Sequence, residues 1–177
     1  MWWSRRILLA LILLALAPGL TACGFKPLYG RQDGDVTVEE FSRIVFEQPE
    51  NRVTQQVRNH LLDMVTPLGT PQQPLYRLEL QVTETVTSVL VTRTDEVTRN
   101  NLSLQTLYRL RDYRTGTILH QGQVSSLVSY NLVRADYANL VSERDARGRA
   151  TRDNAEQLRI VLGNYFSRRQ KQPQQPS

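Results

Sequence analysis

Apolar and polar residues alternate with a period of two in the middle of the chain and recur at helical spacing on both sides of it. Asp35 to Phe46 predicts a first strand, with Val36 and Val38 alternating against Thr37 and Glu39. Pro49 and Asn51 then mark a helix start, and Val53, Val57, His60, Leu61 and Met64 recur on one helical face. Thr66 to Pro74 holds three prolines and reads as a loop. Three strands follow. Tyr76, Leu78, Leu80 and Val82 face one way, with Arg77, Glu79 and Gln81 opposite. Leu102, Leu104, Thr106, Tyr108 and Leu110 share a face, with Ser103, Gln105, Arg109 and Arg111 on the other. Thr117 to Tyr130 is looser, and Gly122 within it marks a bulge or a close approach. Thr92 to Val97 turns the first pair of strands, and Tyr113 to Gly116 makes a tight hairpin for the second.

From about Ala135 to Ser167 the period becomes helical. Ala146, Ala150, Ala155, Leu158, Leu162 and Tyr165 form a stripe that Ile160, Val161 and Phe166 broaden, and Gly148 argues against one unbroken helix. The reading is an α+β fold in the order β-α-β-β-β-α: a four-stranded, mostly antiparallel sheet with one wet face and two helices on the other. It forms a single domain over residues 35–167.

The N-terminus has a different pattern. Arg5 and Arg6 precede an uncharged, Leu-rich run from Ile7 to Ala17, broken by Pro18 and Gly19 and followed by Thr21, Ala22 and Cys23. This is signal-peptide architecture over residues 1–22. The apolar run is shorter than the roughly 20 residues a bilayer-spanning helix needs. "LTAC" resembles the bacterial lipobox, in which the cysteine becomes the first mature residue and carries diacylglycerol on its thiol and an acyl chain such as palmitate on its amine. More than one chain makes the anchor stable. Cys23 is the one cysteine in the sequence, so it has no disulfide partner. It reads as an attachment point rather than as redox or catalytic chemistry. Gly24 follows it where inner-membrane retention in enterobacterial-type sorting would resemble Asp, which points to the outer membrane. Residues 23–34, with Pro27, Gly30 and Gly34, read as a short lipidated tether, and the Gln/Pro-rich residues 168–177 as a disordered tail.

Charge and chemistry narrow the function. Of the 177 residues, removal of 22 leaves 155, the size of one domain with a real core. The removed part holds two arginines and no acid, so the formal charge of +5 becomes +3. That mild excess suits an anionic lipid surface, and without a long Lys/Arg run or a basic strip interleaved with aromatics it calls for no nucleic acid. His60 and His120 fall on different elements with no cluster at ligand spacing, so no metal site is expected. There is no nucleophile elbow, no Ser/His/Asp set and no phosphate-cradling glycine loop. Asp95 with Glu96, and Glu143 with Asp145, read as solvated or arginine-paired carboxylates. A binding or assembly protein without a cofactor is expected, not an enzyme.

The lipobox followed by "CGFKPLYG", carried by Cys23, Gly24, Phe25, Pro27, Leu28 and Tyr29, resembles the LPS-assembly lipoprotein family LptE in its alphaproteobacterial form. "YNLVRADYANLVSERDARGRA", Tyr130 to Ala150, and the closing "AEQLRIVLGNYF" extend the likeness over nearly all of the mature chain. The resemblance implies a lipid-anchored protein on the periplasmic side of the outer membrane. It would plug the LptD β-barrel, assist its assembly, bind lipopolysaccharide and take part in its transport to the outer leaflet, all without covalent chemistry. A polar lumen suits a plug with Thr, Ser, Gln and Arg on its outer strand faces, and lipopolysaccharide phosphates suit the forked arginine side chain. Candidates by placement and charge are Arg93 and Arg99 flanking the first hairpin, Arg109 and Arg111 on the exposed strand face, and Arg114 in the second hairpin. The alternative is an auxiliary lipoprotein of a lipid-trafficking envelope transporter.

Overall fold

The structure is a computed structural model, described here for residues 36–66, 71–90 and 98–171. The signal peptide, Cys23 and its tether, the turn from Thr92 to Val97 with Arg93, and residues 172–177 lie outside the described residues. Among the described residues seven elements run in order: α1 (Val36–Phe41), β1 (Ile44–Phe46), α2 (Arg52–Val65), β2 (Tyr76–Leu90), β3 (Thr98–Asp112), β4 (Ile118–Asn131) and α3 (Asp136–Lys171). They form one four-stranded sheet in the spatial order β1-β2-β3-β4. β1 pairs parallel to β2, while β2 with β3 and β3 with β4 are antiparallel. The fold is the α+β arrangement read from the sequence, with one short helix added in front.

That helix corrects the first predicted strand. Two alternating valines are a short signal, and the strand shrinks to Ile44–Phe46, of which Ile44 and Phe46 are buried. The residues before it coil because Phe41 must reach the core. Its ring meets Phe166 edge-on, with centroids 5.6 Å apart. One helical turn is then closed locally by the Glu39–Arg43 ion pair and by the Ser42 hydroxyl donating to the Glu39 carbonyl at 2.7 Å. Packing overrides β-propensity here.

The second helix starts where the sequence places it. The Asn51 side chain caps α2, its Oδ1 accepting from the Thr54 amide at 2.8 Å. Its buried face is Thr54, Val57, Leu61 and Val65, so Met64 points outward, one position off the predicted stripe.

Register fixes the two faces of the sheet. Leu78 opposes Leu110, Val82 opposes Thr106, and Thr106 opposes Val124, so these side chains share the covered face with Leu102, Leu104, Val128 and Tyr130. α3 lies on that face as one unbroken helix of 36 residues, about 54 Å long. It runs to Lys171, past Ser167 where the sequence placed the end of the domain. Ala146, Ala150 and Ala155 are fully buried, and their small side chains let the helix backbone come close to the strands. Farther along, Leu158, Leu162 and Phe166 fill the wider space over α1, α2 and the start of β2, while Ile160 stays half exposed. Polar side chains pin the close part. Thr106 Oγ1 donates to Asn154 Oδ1 at 2.7 Å, and Ser126 Oγ donates to the Ala150 carbonyl at 2.9 Å.

Gly122 allows a close approach, and the ladder irregularity sits beside Leu110 and Arg111 instead. The Tyr108 ring lies across Gly122, and a Cβ built there would stand 2.7 Å from the tyrosine oxygen. Tyr108 Oη is also 3.1 Å from His120 Nε2, and the His120 ring stacks on Tyr165 at 4.8 Å with planes 7° apart. Burial lowers the His120 pKa below its ordinary 6.5, and the neighbouring Arg168 lowers it further. In the neutral ring so favoured, Nε2 accepts the Tyr108 O–H when the proton sits on Nδ1.

Three outcomes follow from this packing. Gly122→Ala should destabilise the domain by about 1–3 kcal/mol, because Tyr108 must move off its histidine. Gly148 has open space where a Cβ would go, so Gly148→Ala should stabilise it by about 0.5–1 kcal/mol through the backbone entropy of the unfolded chain. Urea unfolding of both variants reads both signs, and a neutral Gly122→Ala would refute the close approach. The third outcome concerns pH. Well above pH 6.5 neither folded nor unfolded chain protonates His120, and its contribution is full. As pH falls through 6.5 the unfolded chain takes a proton that the folded chain resists, so stability drops until the folded pKa is passed. His120→Gln should flatten that fall in a series of urea midpoints against pH.

Candidate functional site

The helices leave the other sheet face uncovered, and that face collects the candidate residues. It presents Arg77, Glu79, Gln81, Thr83, Thr85 and Thr87 from β2, the odd-numbered residues from Arg99 to Arg111 of β3, and Gln121 to Asn131 in alternation from β4. Among the described residues no layer covers this face, so water can reach its polar groups, and several of them also bond across the strands. Arg99 Nε donates to Asn131 Oδ1 at 3.3 Å, Ser129 Oγ to Asn101 Oδ1 at 2.7 Å, and Gln105 Nε2 to Gln123 Oε1 at 3.1 Å. The first two pairs are in direct register, and the glutamine pair is diagonal, since Gln105 opposes Ser125.

The charged part of the ladder is arranged around one carboxylate. Arg77 and Arg111 stand directly opposite each other, an unfavourable pairing of like charge. They diverge. Arg77 places its guanidinium 5.4 Å from the centre of the Tyr113 ring, and Arg111 Nε donates to Glu79 Oε1 at 2.5 Å. Arg109, directly opposite Glu79, lies 3.8 Å from its other oxygen. Two of the five sequence candidates therefore share one acid. The trio carries one net positive charge, and Arg109, the more exposed of the two cations, is the one open to a further anion.

Two shallow hollows flank Arg109. One, of about 340 Å³, is lined by Glu47, Glu50, Glu79, Gln81, Leu107 and Arg109 among others. Three carboxylates against one guanidinium make it a poor place for phosphate. The other, of about 360 Å³, is lined by Leu107, Tyr108, Arg109, Gln121, Gly122 and Gln123. Arg109 is its one charged wall, glutamine amides supply donors, and Leu107 supplies an apolar edge. That combination suits an anionic group attached to an apolar body.

The remaining candidates lie elsewhere. Arg99 sits twelve strand positions from Arg111, about 40 Å away along β3. Arg114 is in the β3–β4 turn at the opposite end, where Asp112 Oδ1 accepts from the Thr115 amide at 2.8 Å and the Arg114 amide at 2.9 Å. Those amides, Thr115 foremost, lower the Asp112 pKa. Gly116, at φ +71°, completes the turn with the left-handed conformation the tight hairpin requires. Arg93 and Cys23 lie outside the described residues. The four described arginines do not converge on one site.

Some features of this region are missed by patterning along the chain. Glu79 reads only as a wet-face residue, because its role depends on cross-strand register. Leu107, 44% exposed, interrupts the polar face as an apolar residue at an odd position, a signal present in the sequence. On the covered side, Arg147 donates two bonds of 2.8 Å to Glu84 and one of 2.6 Å to Glu143, fastening the start of α3 to β2. Glu84 raises the Arg147 pKa, so that group stays charged at any ordinary pH. Beyond this clamp Val133, Tyr137, Leu140 and Val141 are half exposed or more, and the last three form an apolar stripe on α3 at i, i+3 and i+4. They come from the segment Tyr130 to Ala150. Among the described residues no group of three His, Cys, Asp or Glu side chains is placed to hold a metal ion.

No protein-family model and no curated protein matches the chain. Solved structures do. A provisionally assigned lipoprotein from Caulobacter crescentus CB15 superposes with a TM-score of 0.64 at 24% identity, covering 75% of this chain and 96% of its own. A minor lipoprotein from Acinetobacter baumannii gives 0.55 at 16% identity, over 70% and 94%. An uncharacterised lipoprotein B from Nitrosomonas europaea gives 0.53 at 12% identity, over 72% and 85%. At these identities the likeness establishes a shared fold, and the chain has the α+β fold found in these bacterial lipoproteins.

Proposed function

We propose that this chain is an outer-membrane lipoprotein, anchored through acylated Cys23 on the periplasmic side, that plugs and assists assembly of an LptD-like β-barrel. It takes part in moving lipopolysaccharide to the outer leaflet by non-covalent binding. One observation carries the reading: among the described residues a sheet face some 50 Å long is uncovered, mostly polar and hydrogen-bonded across its strands. Such a face is costly to cover with an apolar partner and well matched to the polar wall of a wide barrel lumen. The lipobox with "CGFKPLYG" supports it from the sequence, and the fold shared with bacterial lipoproteins is in keeping with it. The apolar stripe of Tyr137, Leu140 and Val141 gives the same partner a place for a drier contact.

Affinity purification of the tagged chain from detergent-solubilised outer membranes, with mass spectrometry, tests this reading. A large β-barrel in near-equal amount is the expected result. A transporter subunit in its place, or no partner, would sink the reading and favour the transporter-accessory alternative. Lipopolysaccharide binding tests the Arg109 hollow separately. Arg109→Ser should weaken it about tenfold, the loss of one charge-assisted bond. Glu79→Gln should strengthen it, since the acid that neutralises Arg109 and Arg111 is gone. Titration with fluorescent lipopolysaccharide distinguishes the two signs, and equal affinities would remove this hollow from the pathway.

A further inference from the structure

The end of the domain where the described chain begins is unlike the rest of its surface. Backbone bonds gather several segments there. The Leu75 amide donates to the Arg43 carbonyl at 3.0 Å and the Tyr113 amide to the Leu75 carbonyl at 2.9 Å, while α1 rests on Phe166 through Phe41. The α1–β1 turn, the start of β2, the β3–β4 turn and the last turns of α3 thus share one end. Arg77, Arg114 and Arg169 are exposed on it. The local acids keep their charge, but they are engaged within the fold, and with Arg43 counted the four described arginines outnumber the three acids. Glu39 pairs with Arg43, Asp112 holds the turn amides, and Glu40 lies against buried Tyr76, whose pKa is pushed up to about 12 by burial and by that carboxylate. Between the arginines stand Leu75, Tyr113 and Ile118, exposed by 38%, 41% and 43%. Arg77 lies over the Tyr113 ring, and Arg169 lies 6.0 Å from the centre of the Tyr76 ring.

We infer that this end is a docking face for the anionic phospholipid surface of the leaflet that holds the lipid anchor. The inference rests on the lipoprotein reading for its geometry. Cys23 precedes Val36 by thirteen residues, at most about 45 Å of extended chain, so this end is held within reach of the bilayer. The composition fits a headgroup layer. Guanidinium forks grip phosphates, a tyrosine seats at the level of the headgroups, and two aliphatic side chains enter just below them. Each arginine near an anionic membrane strengthens attachment about fivefold, and salt weakens it. Docking would hold the domain upright on its anchor with the uncovered sheet face turned sideways.

The mature chain provides a clean probe, because both tryptophans, Trp2 and Trp3, lie in the signal peptide. Tyr113→Trp in the acylated protein therefore introduces a lone fluorophore on the face. It is read in vesicles of phosphatidylcholine alone, phosphatidylcholine with phosphatidylglycerol, and phosphatidylcholine with lipopolysaccharide, each carrying brominated acyl chains as quencher. Quenching and a blue shift are expected with phosphatidylglycerol and not with phosphatidylcholine alone. Adding Arg77→Ser, Arg114→Ser and Arg169→Ser should lower the docked fraction about fivefold for each arginine, with circular dichroism unchanged. Equal emission in the first two vesicles overturns the inference, as does quenching with lipopolysaccharide alone. Quenching of a Tyr137→Trp probe in its place also overturns it, by putting the opposite end on the membrane. Flotation with phosphatidylcholine vesicles reports the anchor separately, since acylated protein floats whatever its arginines do. Failure to float refutes the lipoprotein reading, while the phosphatidylglycerol quenching still decides the face.

Discussion

The structure depends on α3 lying close against one side of the sheet. That contact is made by alanines and by buried hydrogen bonds rather than by large apolar side chains alone. Asn154 joins Thr106 to the helix and also donates toward the Leu104 carbonyl at 3.4 Å, while Ser126 reaches the Ala150 carbonyl. All three side chains are buried, and leaving any of their partners unmatched would cost about 1–3 kcal/mol. Such bonds have geometry that sliding apolar contacts lack, so they set where along its length the helix meets β3 and β4. The Arg147 clamp on Glu84 and Glu143 fixes the same register farther up. With the helix placed, Leu158, Leu162 and Phe166 fall over α2, α1 and Tyr76, and the core closes on one side only.

One-sided closure has a consequence for the other face. Strands about 50 Å long, with no second layer, expose a broad surface that would aggregate if it were apolar. The chain answers with threonine on β2 and with amide, hydroxyl and arginine pairs across β3 and β4. Leu127, 66% exposed, Leu107, Val89 and Ile118 break this pattern. A face that is both extensive and self-satisfied has little to gain from burial in an apolar partner. It can meet a polar wall, or water and ions, without leaving groups unpaired. The functional proposal draws on this property and on no single residue.

Much of this was legible along the chain. Strict alternation over β2 and β3 assigned nearly every side chain to its correct face, because a residue of one sign in a two-residue period has one place to go. The tight hairpin was readable from Tyr113 to Gly116 for the same local reason, a glycine where φ must be positive. What failed depended on partners distant in sequence. The residues of α1 alternate weakly and coil only because Phe41 has Phe166 to meet. Val65 displaces Met64 from the buried face of α2 since the stripe is set by where α3 and β2 lie. Gly148 does not break α3, because the clamps on either side of it, Arg147 to Glu84 and Ser126 to Ala150, outweigh its backbone freedom of about 1 kcal/mol. Glu79 could not be matched to Arg111 without the register of two strands.

The same register divides the candidate arginines. A ligand touching Arg99, Arg109 and Arg114 together would have to extend for about the length of β3, roughly 40 Å or more, which is longer than one leaflet of a bilayer is thick. The arginines are better understood as separate charges on a long object. Arg99 is held by Asn131 at one end, Arg109 stands beside a hollow in the middle with Glu79 moderating it, and Arg114 joins Arg77 and Arg169 at the end from which the chain emerges. On the proposed role, moderation by Glu79 would matter for passage. A site that held a phosphate with both guanidinium groups unopposed would bind it too firmly to release, whereas a trio of net charge +1 attracts the group and lets it go. Arg77, Arg114 and Arg169 share their end with Glu40 and Asp112, and on the proposed reading that end lies nearest the anchor. On the proposed role, weak binding in the middle and docking at the base would let lipid move past a stationary protein.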